Sequence, residues 1–231
     1  MVNLTVNYFN HRDAENAEDA QRKVQRMSSQ TELQEQFGSI DIYLFDQLLK
    51  GRLTPGMSLL DAGCGNGRNL IYFMRNGYPV YGVDHSSGAI TQIRALAAEL
   101  APKLSPDNFR VESVDSLSFA NESFDVVLSS AVLHFARNED HWLAMVREMW
   151  RVLKPGGIFF ARLSSTVGIQ DHIQHISGRI FRLPAGTEWF LVDAPMLEKV
   201  TLEVGGEWLE PFKTVVVHNT RSMSTWCLRK R

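Results

Sequence analysis

The chain has 231 residues, of which 44% are hydrophobic and 22% charged, with a formal net charge of −2. This length suits one sizeable domain with a small appended cap, and the charge balance gives no electrostatic argument for a nucleic acid or an anionic membrane as partner. The sequence contains no apolar run of membrane-spanning length, and its first residues do not resemble a signal peptide. We therefore expect a soluble, cytoplasmic protein, monomeric or homodimeric.

The first 50 residues are predicted to form a helical cap that packs on the remainder. Residues 11–36 are polar and lack Gly and Pro, a composition typical of one or two solvated helices. The stretch 40–49 is amphipathic, which predicts a helix leaning on the core. Tyr8 and Phe9 are predicted to fold over a ligand, or to anchor the terminus to the core as aromatic residues more often do.

The second predicted domain, 51–231, alternates short apolar strands with helices. Strands are predicted at 57–61, 80–84, 109–115, 124–129 and 158–163, and helices at 68–76, 87–100 and 140–153, the last beginning with a capping region at Asp140-His141. Continuous apolar strands joined by helices indicate a parallel sheet covered on both faces. Right-handed crossovers make that sheet doubly wound, with ligands at the carboxyl ends of its strands.

The C-terminal third departs from this alternation. Residues 164–193 have no clear periodicity and are predicted to be an irregular insertion or lid on the substrate side. A helix is predicted at 194–204. Two strand-like runs, 213–218 and 222–228, are close enough in sequence to form a closing hairpin.

A glycine-rich loop joins the first strand to the following helix, and it reads Asp61-Ala62-Gly63-Cys64-Gly65-Asn66-Gly67. Glycines at such a position let the backbone approach a ligand without a Cβ in the way. The GxGxG spacing differs from the GxGxxG that seats a pyrophosphate at a helix N-terminus. By itself, the loop is equally a ligand cradle or a tight strand-to-helix turn.

Acidic residues also end the next two predicted strands. Asp84 ends the second strand, where a carboxylate can accept hydrogen bonds from both hydroxyls of a ribose. Asp115, followed by Ser116, ends the third strand, where these residues can meet an adenine edge. Either aspartate could instead cap a helix N-terminus. Three acidic residues at successive strand ends nevertheless favour a nucleoside-containing ligand.

The ordered motif set over residues 40–165 resembles that of class I S-adenosylmethionine (SAM)-dependent methyltransferases. The motifs are 59–67, Val83-Asp84, Asp115-Ser116, 124–134 and 150–157. Within that class the chain is most similar to small-molecule methyltransferases related to the ubiquinone-biosynthesis type, and Gly67-Arg68-Asn69 is similar to tellurite-resistance methyltransferases. The resemblance implies SAM as cofactor and a Rossmann-like, seven-stranded, mostly parallel sheet with an antiparallel strand from the C-terminal hairpin.

The resemblance also implies cofactor-binding roles by position. The backbone of Gly63 and Gly65 would lie against the methionine part of SAM. Asp61 would orient the loop and the cofactor's ammonium group, directly or through water. Asp84 would hold the ribose.

The remaining implied roles fall on residues beyond the third and fourth strands. Asp115 with Ser116 would border the adenine, and Ser130 with Ala131 would face the amino-acid end or the methyl group. His134 is the best candidate for a catalytic base, because it follows the fourth strand on the cofactor side and imidazole titrates near neutrality. The alternative is a histidine that only packs or binds backbone in its loop.

The predicted lid carries the substrate-side candidates. Arg179 and Arg182 could clamp a carboxylate or phosphate, although exposed arginines are the default, and Trp189 could form part of the wall. His172 and His175 are spaced to present two metal ligands on one helical face. No third ligand is evident, so we expect no metal.

These features together predict transfer of a methyl group from SAM to a small-molecule acceptor by in-line displacement. One alternative is a SAM-binding protein without transferase activity. Another is a methyltransferase acting on RNA or protein, but the chain lacks an Asn-Pro-Pro-Tyr type of motif after the fourth strand. A nicotinamide-dependent oxidoreductase shares the loop and Asp84, but the GxGxG spacing, Asp115 and the absence of a Tyr-x-x-x-Lys pair weigh against it.

Overall fold

A computed structural model describes residues 32–231 of the chain. The predictions made for Tyr8, Phe9 and residues 11–31 lie outside the described residues, while 32–37 are helical as expected. The chain divides into two compact units, Met1–Gly38 and Ser39–Arg231. The second unit contains the sheet and every candidate residue from Asp61 to Trp189.

From α1 to β5 the second unit alternates helices and strands in the predicted order. Its helices are α1 (Ile42–Leu49), α2 (Ile71–Arg75), α3 (Ser87–Leu100), α4 (Glu139–Val152) and α5 (Ala194–Glu203). Its strands are β1 (Leu59–Ala62), β2 (Val80–Asp84), β3 (Phe109–Val111), β4 (Phe124–Ser130), β5 (Leu153–Ser164), β6 (Gln174–Ser177), β7 (Ile180–Arg182), β8 (Glu188–Phe190), β9 (Gly206–Trp208), β10 (Lys213–Val217) and β11 (Arg221–Lys230).

The main sheet has the strand order β10-β11-β5-β4-β1-β2-β3. Strands β1 to β5 are parallel to one another, and β11 is antiparallel to β5. The short strand β9 pairs with the end of β11 beside β10, so these two share one edge position. This confirms the predicted doubly wound, seven-stranded sheet with its antiparallel C-terminal strand.

Two apolar layers cover the two faces of this sheet. Successive residues of a strand point to opposite faces, so Phe159 lies in one layer with Trp142 and Phe160 lies in the other with Phe73. Helices α1, α2 and α3 cover one face, and α4 and α5 cover the other. Burial on both faces explains why the parallel strands are continuously apolar in sequence. None of the helices described between residues 32 and 231 has the length and apolar composition that crossing a bilayer requires.

The prediction that residues 164–193 are irregular is wrong, because this segment contains regular strands. Strands β6, β7 and β8 form a separate three-stranded antiparallel sheet. His172 lies in a 3-10 turn and His175 in β6, so the two do not share a helical face. Within the described part of the chain, no group of three or more His, Cys, Asp or Glu side chains is arranged to hold a metal ion.

The largest differences in strand boundaries from the prediction occur at β3 and β5. Strand β3 ends at Val111 rather than at Asp115, because its last ladder bond runs from the N–H of Glu112 to the carbonyl of Asp84. Strand β5 already begins at Leu153, and its register with β4 shifts across 154–157, the residues between the predicted helix and the predicted fifth strand.

Candidate functional site

The glycine loop after β1 crosses the end of β2. The N–H groups of Gly63 and Cys64 both donate to the carbonyl of Val83, at 2.8 and 2.9 Å. A Cβ added at Gly63 would lie 2.3 Å from Cγ2 of Val132, whereas one added at Gly65 meets no atom within 4 Å. The loop is therefore packed tightly against the segment after β4 at Gly63, and is open at Gly65.

Asp84, at the end of β2, holds this loop in place. Its Oδ2 accepts the N–H of Gly65 at 3.0 Å, and its Oδ1 accepts the N–H of Ser86 at 2.9 Å. The helix-capping alternative for Asp84 is wrong, because Ser86 is the N-cap of α3 and its hydroxyl accepts from Ala89. Each carboxylate oxygen of Asp84 therefore accepts one backbone hydrogen bond and has a second lone pair for a ligand, and Nδ1 of His85 lies 3.4 Å from Oδ1.

Asp61, in β1, is a buried residue whose carboxylate has an oxygen without a hydrogen-bond donor among the described residues. It is 1% exposed, and its Oδ1 has no hydrogen-bond partner among residues 32–231. Burial raises the pKa of Asp61 to about 7. The Arg68 guanidinium lowers this pKa, and the Asp84 carboxylate raises it further. An unpaired buried carboxylate is costly. An ammonium group held at the glycine loop would supply the missing donor, so the residues present fit the amino-acid end of SAM.

A cavity of about 610 Å³ opens at the carboxyl ends of the parallel strands, within the size range of small-molecule sites. Its wall is formed by the glycine loop and by the segments that follow β2, β3 and β4, through Gly63, Asp84, His85, Glu112, Ser113, Val114, Ala131, Val132, Phe135, Arg137, His141 and Met145. The position is the one expected of a ligand site in a doubly wound sheet.

The end of β4 contributes the next two candidates. Ala131 lines the cavity in a left-handed conformation (φ +64°), and its N–H donates to the carbonyl of Arg162 at 2.8 Å. A non-glycine residue in this region is strained, and such strain tends to occur at functional sites. The hydroxyl of Ser130 accepts from Nη2 of Arg68 at 3.1 Å. Arg68 therefore links the glycine loop to the end of β4.

Asp115 lies four residues beyond β3, and its carboxylate contacts two neighbouring side chains. Its carboxylate accepts a hydrogen bond from the Ser113 hydroxyl, which lowers the pKa of Asp115 below its ordinary value. Its Oδ2 also lies 3.3 Å from Nε2 of His141. Ser116 is exposed, and its N–H donates to the carbonyl of Ser113. The adenine-bordering role of Asp115 and Ser116 stays a prediction.

His134 and Trp189, predicted from distant parts of the chain, lie in contact. The ring centroid of His134 is 4.3 Å from that of Trp189 and 4.5 Å from that of Phe135, which lines the cavity. His134 is 4% exposed, its Nδ1 has no partner among the described residues, and burial lowers its pKa to about 4. The imidazole is therefore neutral at neutral pH.

The two lid arginines are both engaged within their own segment. Arg179 pairs with Asp193, the N-cap of α5, at 3.1 Å. Arg182 pairs with Glu188 on the adjacent strand at 2.6 Å. A substrate-clamping role for either arginine stays a prediction, and it requires that a ligand compete with these carboxylates.

Several cavity residues escaped the sequence reasoning. His85 directly follows Asp84, and Phe135 directly follows His134. Arg137 and His141 lie at the start of α4, where only a capping role was predicted. The available signal was their position just after strand ends, where loops of a doubly wound fold meet the ligand.

Comparisons with known proteins agree with this geometry. Residues 60–161 match the family model for a methyltransferase domain. A ubiquinone biosynthesis O-methyltransferase from Brucella anthropi is 33% identical over 109 residues, which are 47% of this chain and 42% of that enzyme. The chain thus matches less than half the length of this curated relative.

Solved structures share the fold over most of the chain. A SAM-dependent methyltransferase from Methanosarcina mazei superposes with a TM-score of 0.65 at 23% identity, over 79% of this chain and 96% of that one. The 1,6-didemethyltoxoflavin-N1-methyltransferase of Burkholderia thailandensis, solved with 1,6-didemethyltoxoflavin and S-adenosylhomocysteine, gives a TM-score of 0.64 at 18% identity, over 99% and 93%. The predicted resemblance is confirmed, since residues 60–161 match the methyltransferase-domain model and the solved structures share the fold of the chain.

Proposed function

We propose that this chain, with its class I methyltransferase domain at residues 60–161, transfers a methyl group from SAM to a small-molecule acceptor. The observation that carries the proposal is the buried Asp61 carboxylate, whose Oδ1 has no hydrogen-bond partner among residues 32–231, beside a glycine loop that borders a cavity of about 610 Å³. A ligand with an ammonium group at one end and a nucleoside at the other satisfies both features. SAM is such a ligand.

The residues of the site have separate tasks in holding this ligand. Asp61 receives the ammonium group, and the open side of Gly65 leaves room for the methionine chain. Asp84 offers one remaining lone pair on each carboxylate oxygen to the ribose hydroxyls. The hydrogen bonds from the N–H groups of Gly65 and Ser86 keep the carboxylate oriented. Ser130 and Ala131 border the place where the acceptor meets the methyl group.

When bound, SAM supplies a methyl group on a sulfonium that a nucleophile displaces in line. The chain's own contribution is to hold the acceptor opposite the sulfur and to keep water away. Val132 and Phe135 provide apolar surface on the cavity wall for this purpose. His134 contacts Phe135 and is the proposed recipient of the proton that an acceptor O–H or N–H gives up, although burial lowers its pKa and so makes it a weak base without a ligand.

A small-molecule acceptor is supported by the relatives and by the charge. The relative from Brucella anthropi is named for ubiquinone biosynthesis, and the structure from Burkholderia thailandensis holds 1,6-didemethyltoxoflavin. A net charge of −2 gives no attraction to RNA or DNA.

The test is transfer of a labelled methyl group from SAM into a cell extract separated into metabolite, protein and RNA fractions. The proposal predicts label in the metabolite fraction with the wild-type chain and none with Asp84→Ala. Label in RNA or protein instead would overturn the small-molecule acceptor. S-adenosylhomocysteine (SAH) binding without any transfer would point to a SAM-binding protein that is not a transferase.

His134→Gln tests the proton acceptor once a substrate is in hand. We expect its transfer rate to fall about 100-fold while SAH affinity is retained, because only the proton-transfer step is affected. His218→Gln, an exposed histidine in the turn between β10 and β11, is the matched control and should keep the wild-type rate. A wild-type rate in His134→Gln would remove His134 from the chemistry.

A further inference from the structure

The imidazole of His134 lies between two aromatic rings. Its plane is inclined by 33° to the indole of Trp189 and by 53° to the ring of Phe135, with the centroid distances of 4.3 and 4.5 Å given above. Its Nδ1 has no hydrogen-bond partner among residues 32–231. A buried histidine with a purely structural task normally uses its ring nitrogens in hydrogen bonds within the fold. The orientation of this imidazole therefore depends on its two ring contacts.

The three-stranded sheet supports Trp189 from behind. Trp189 lies in β8 opposite Phe181 of β7, and the side chains of both residues pack against the small core formed by Ile169, Leu183 and Leu191. The indole is thus half-buried in its own sheet on one side and in contact with His134 on the other.

The chain that follows Trp189 is joined to the main sheet. The next residue, Phe190, is fully buried and stacks on Trp142 of α4, with ring centroids 5.9 Å apart and 14° between the planes. Further on, the N–H of Val192 donates to the carbonyl of Ser164, at the end of β5, at 3.2 Å. Trp189 is therefore anchored by both sheets, and its indole presents a fixed surface to the imidazole.

We propose that Trp189 is a positioning residue, whose indole holds the His134 imidazole where it takes the acceptor's proton. This inference rests on the proposed function, in which His134 receives that proton. The acceptor's O–H or N–H gives its proton to the imidazole, and its electron pair forms the bond to the methyl carbon. The electron pair of the broken carbon–sulfur bond remains on SAH. The three-stranded sheet then takes part in the transfer through Trp189.

The experiment measures kcat and KM for the metabolite that the extract assay labels, and the calorimetric dissociation constant of SAH. In Trp189→Leu we expect kcat to fall about tenfold, because a misplacement of about 1 Å at a reacting group can cost up to about 100-fold in rate. The KM and the SAH affinity should stay within about twofold of wild type. Trp189→Phe restores a flat ring and should regain most of the lost kcat.

A double variant shows whether Trp189 acts through His134. Adding Trp189→Leu to His134→Gln should lower kcat by less than about twofold, because no imidazole remains to be oriented. A further tenfold fall in the double variant would overturn the proposal. Trp208→Leu is the matched control, since Trp208 is also half-buried but lies on β9 against Phe212, and it should keep the wild-type kcat.

Proton NMR of the SAH-bound wild-type chain tests the contact without any acceptor. The ring C–H signals of His134 should be shifted upfield by the indole and should show nuclear Overhauser contacts with Trp189. Absence of these contacts would overturn the proposal, as would a wild-type kcat in Trp189→Leu beside a slow His134→Gln. If the wild-type chain bound SAH but transferred no methyl group, the proposed function would fail first and this inference with it.

Discussion

Asp61 must be ionised to receive an ammonium group, yet its burial opposes ionisation. Burial raises its pKa to about 7, and its Oδ1 has no described partner. The folded-state pKa of this carboxyl lies above its unfolded value of 3.8. Its contribution to stability is therefore fully present below pH 3.8 and is lost as the pH rises through about 7. The ligand-free protein therefore bears a destabilising charge that the proposed contact with the cofactor's ammonium group would relieve.

Asp61→Asn tests this conflict between stability and binding. We expect the ligand-free variant to melt about 5 °C higher than wild type at about pH 8, because the buried charge is gone. The difference should shrink at about pH 5, where Asp61 is largely neutral. The same variant should bind SAH at least about tenfold more weakly, as judged by calorimetry. Equal melting temperatures at about pH 8 would show that Asp61 bears no such cost.

Individual residues were predictable where their role follows from position along a strand. Asp61 and Asp84 lie at the ends of β1 and β2, and their proximity to the glycine loop follows from parallel pairing alone. The contacts of Asp115 with His141 and of His134 with Trp189 depend on how loops from distant parts of the chain approach each other. No local pattern encodes such approaches.

At the scale of elements, the glycine loop combines two functions that substitution can separate. Gly63 has a φ of +87° and no room for a Cβ beside Val132, whereas Gly65 has a φ of +52° and open space. Gly63 is thus required for packing. Gly65 leaves open the face that we propose the ligand approaches.

Alanine at these positions should therefore give different results. Gly63→Ala should lower the free energy of unfolding by about 3 kcal/mol through overpacking and left-handed strain. Gly65→Ala should cost about 1 kcal/mol but reduce SAH affinity at least about tenfold. Gly56→Ala, which has a φ of +91° and open space in the turn before β1, is the matched control and should leave SAH affinity unchanged. Urea unfolding and calorimetry measure both quantities, and wild-type SAH affinity in Gly65→Ala would contradict the assignment.

The elements that escaped prediction are short and depend on distant contacts. Strands β6, β7 and β8 have three or four residues each, and β6 is exposed throughout. Their small core, formed by Ile169, Leu183 and Leu191, is assembled from separated positions. Neither the short strands nor the scattered core residues produce a hydrophobic periodicity that can be recognised in the sequence. Long apolar strands such as β4 were placed to within one residue because they carry their own signal.

At the scale of the molecule, the alternation of strands and helices and the crossover rule predicted a doubly wound sheet, and the family resemblance implied its seven strands and its antiparallel C-terminal strand. The carboxyl ends of β1, β2 and β4 then meet at one edge, so the candidate cofactor residues are brought together there. The acceptor does not follow, because the separate three-stranded sheet and its ion pairs have no counterpart in the common motif set. The fold and the cofactor class can therefore be predicted from the sequence, whereas the substrate cannot.

The central claim, that this cavity holds SAM, is tested most directly by thermal unfolding of the wild-type chain with SAH or with NAD. A ligand that binds only the folded state raises the melting temperature with concentration. We predict such a rise with SAH, none with NAD, and loss of the SAH effect in Asp84→Ala. An unchanged melting temperature with SAH, or an equal rise with NAD, would contradict the account.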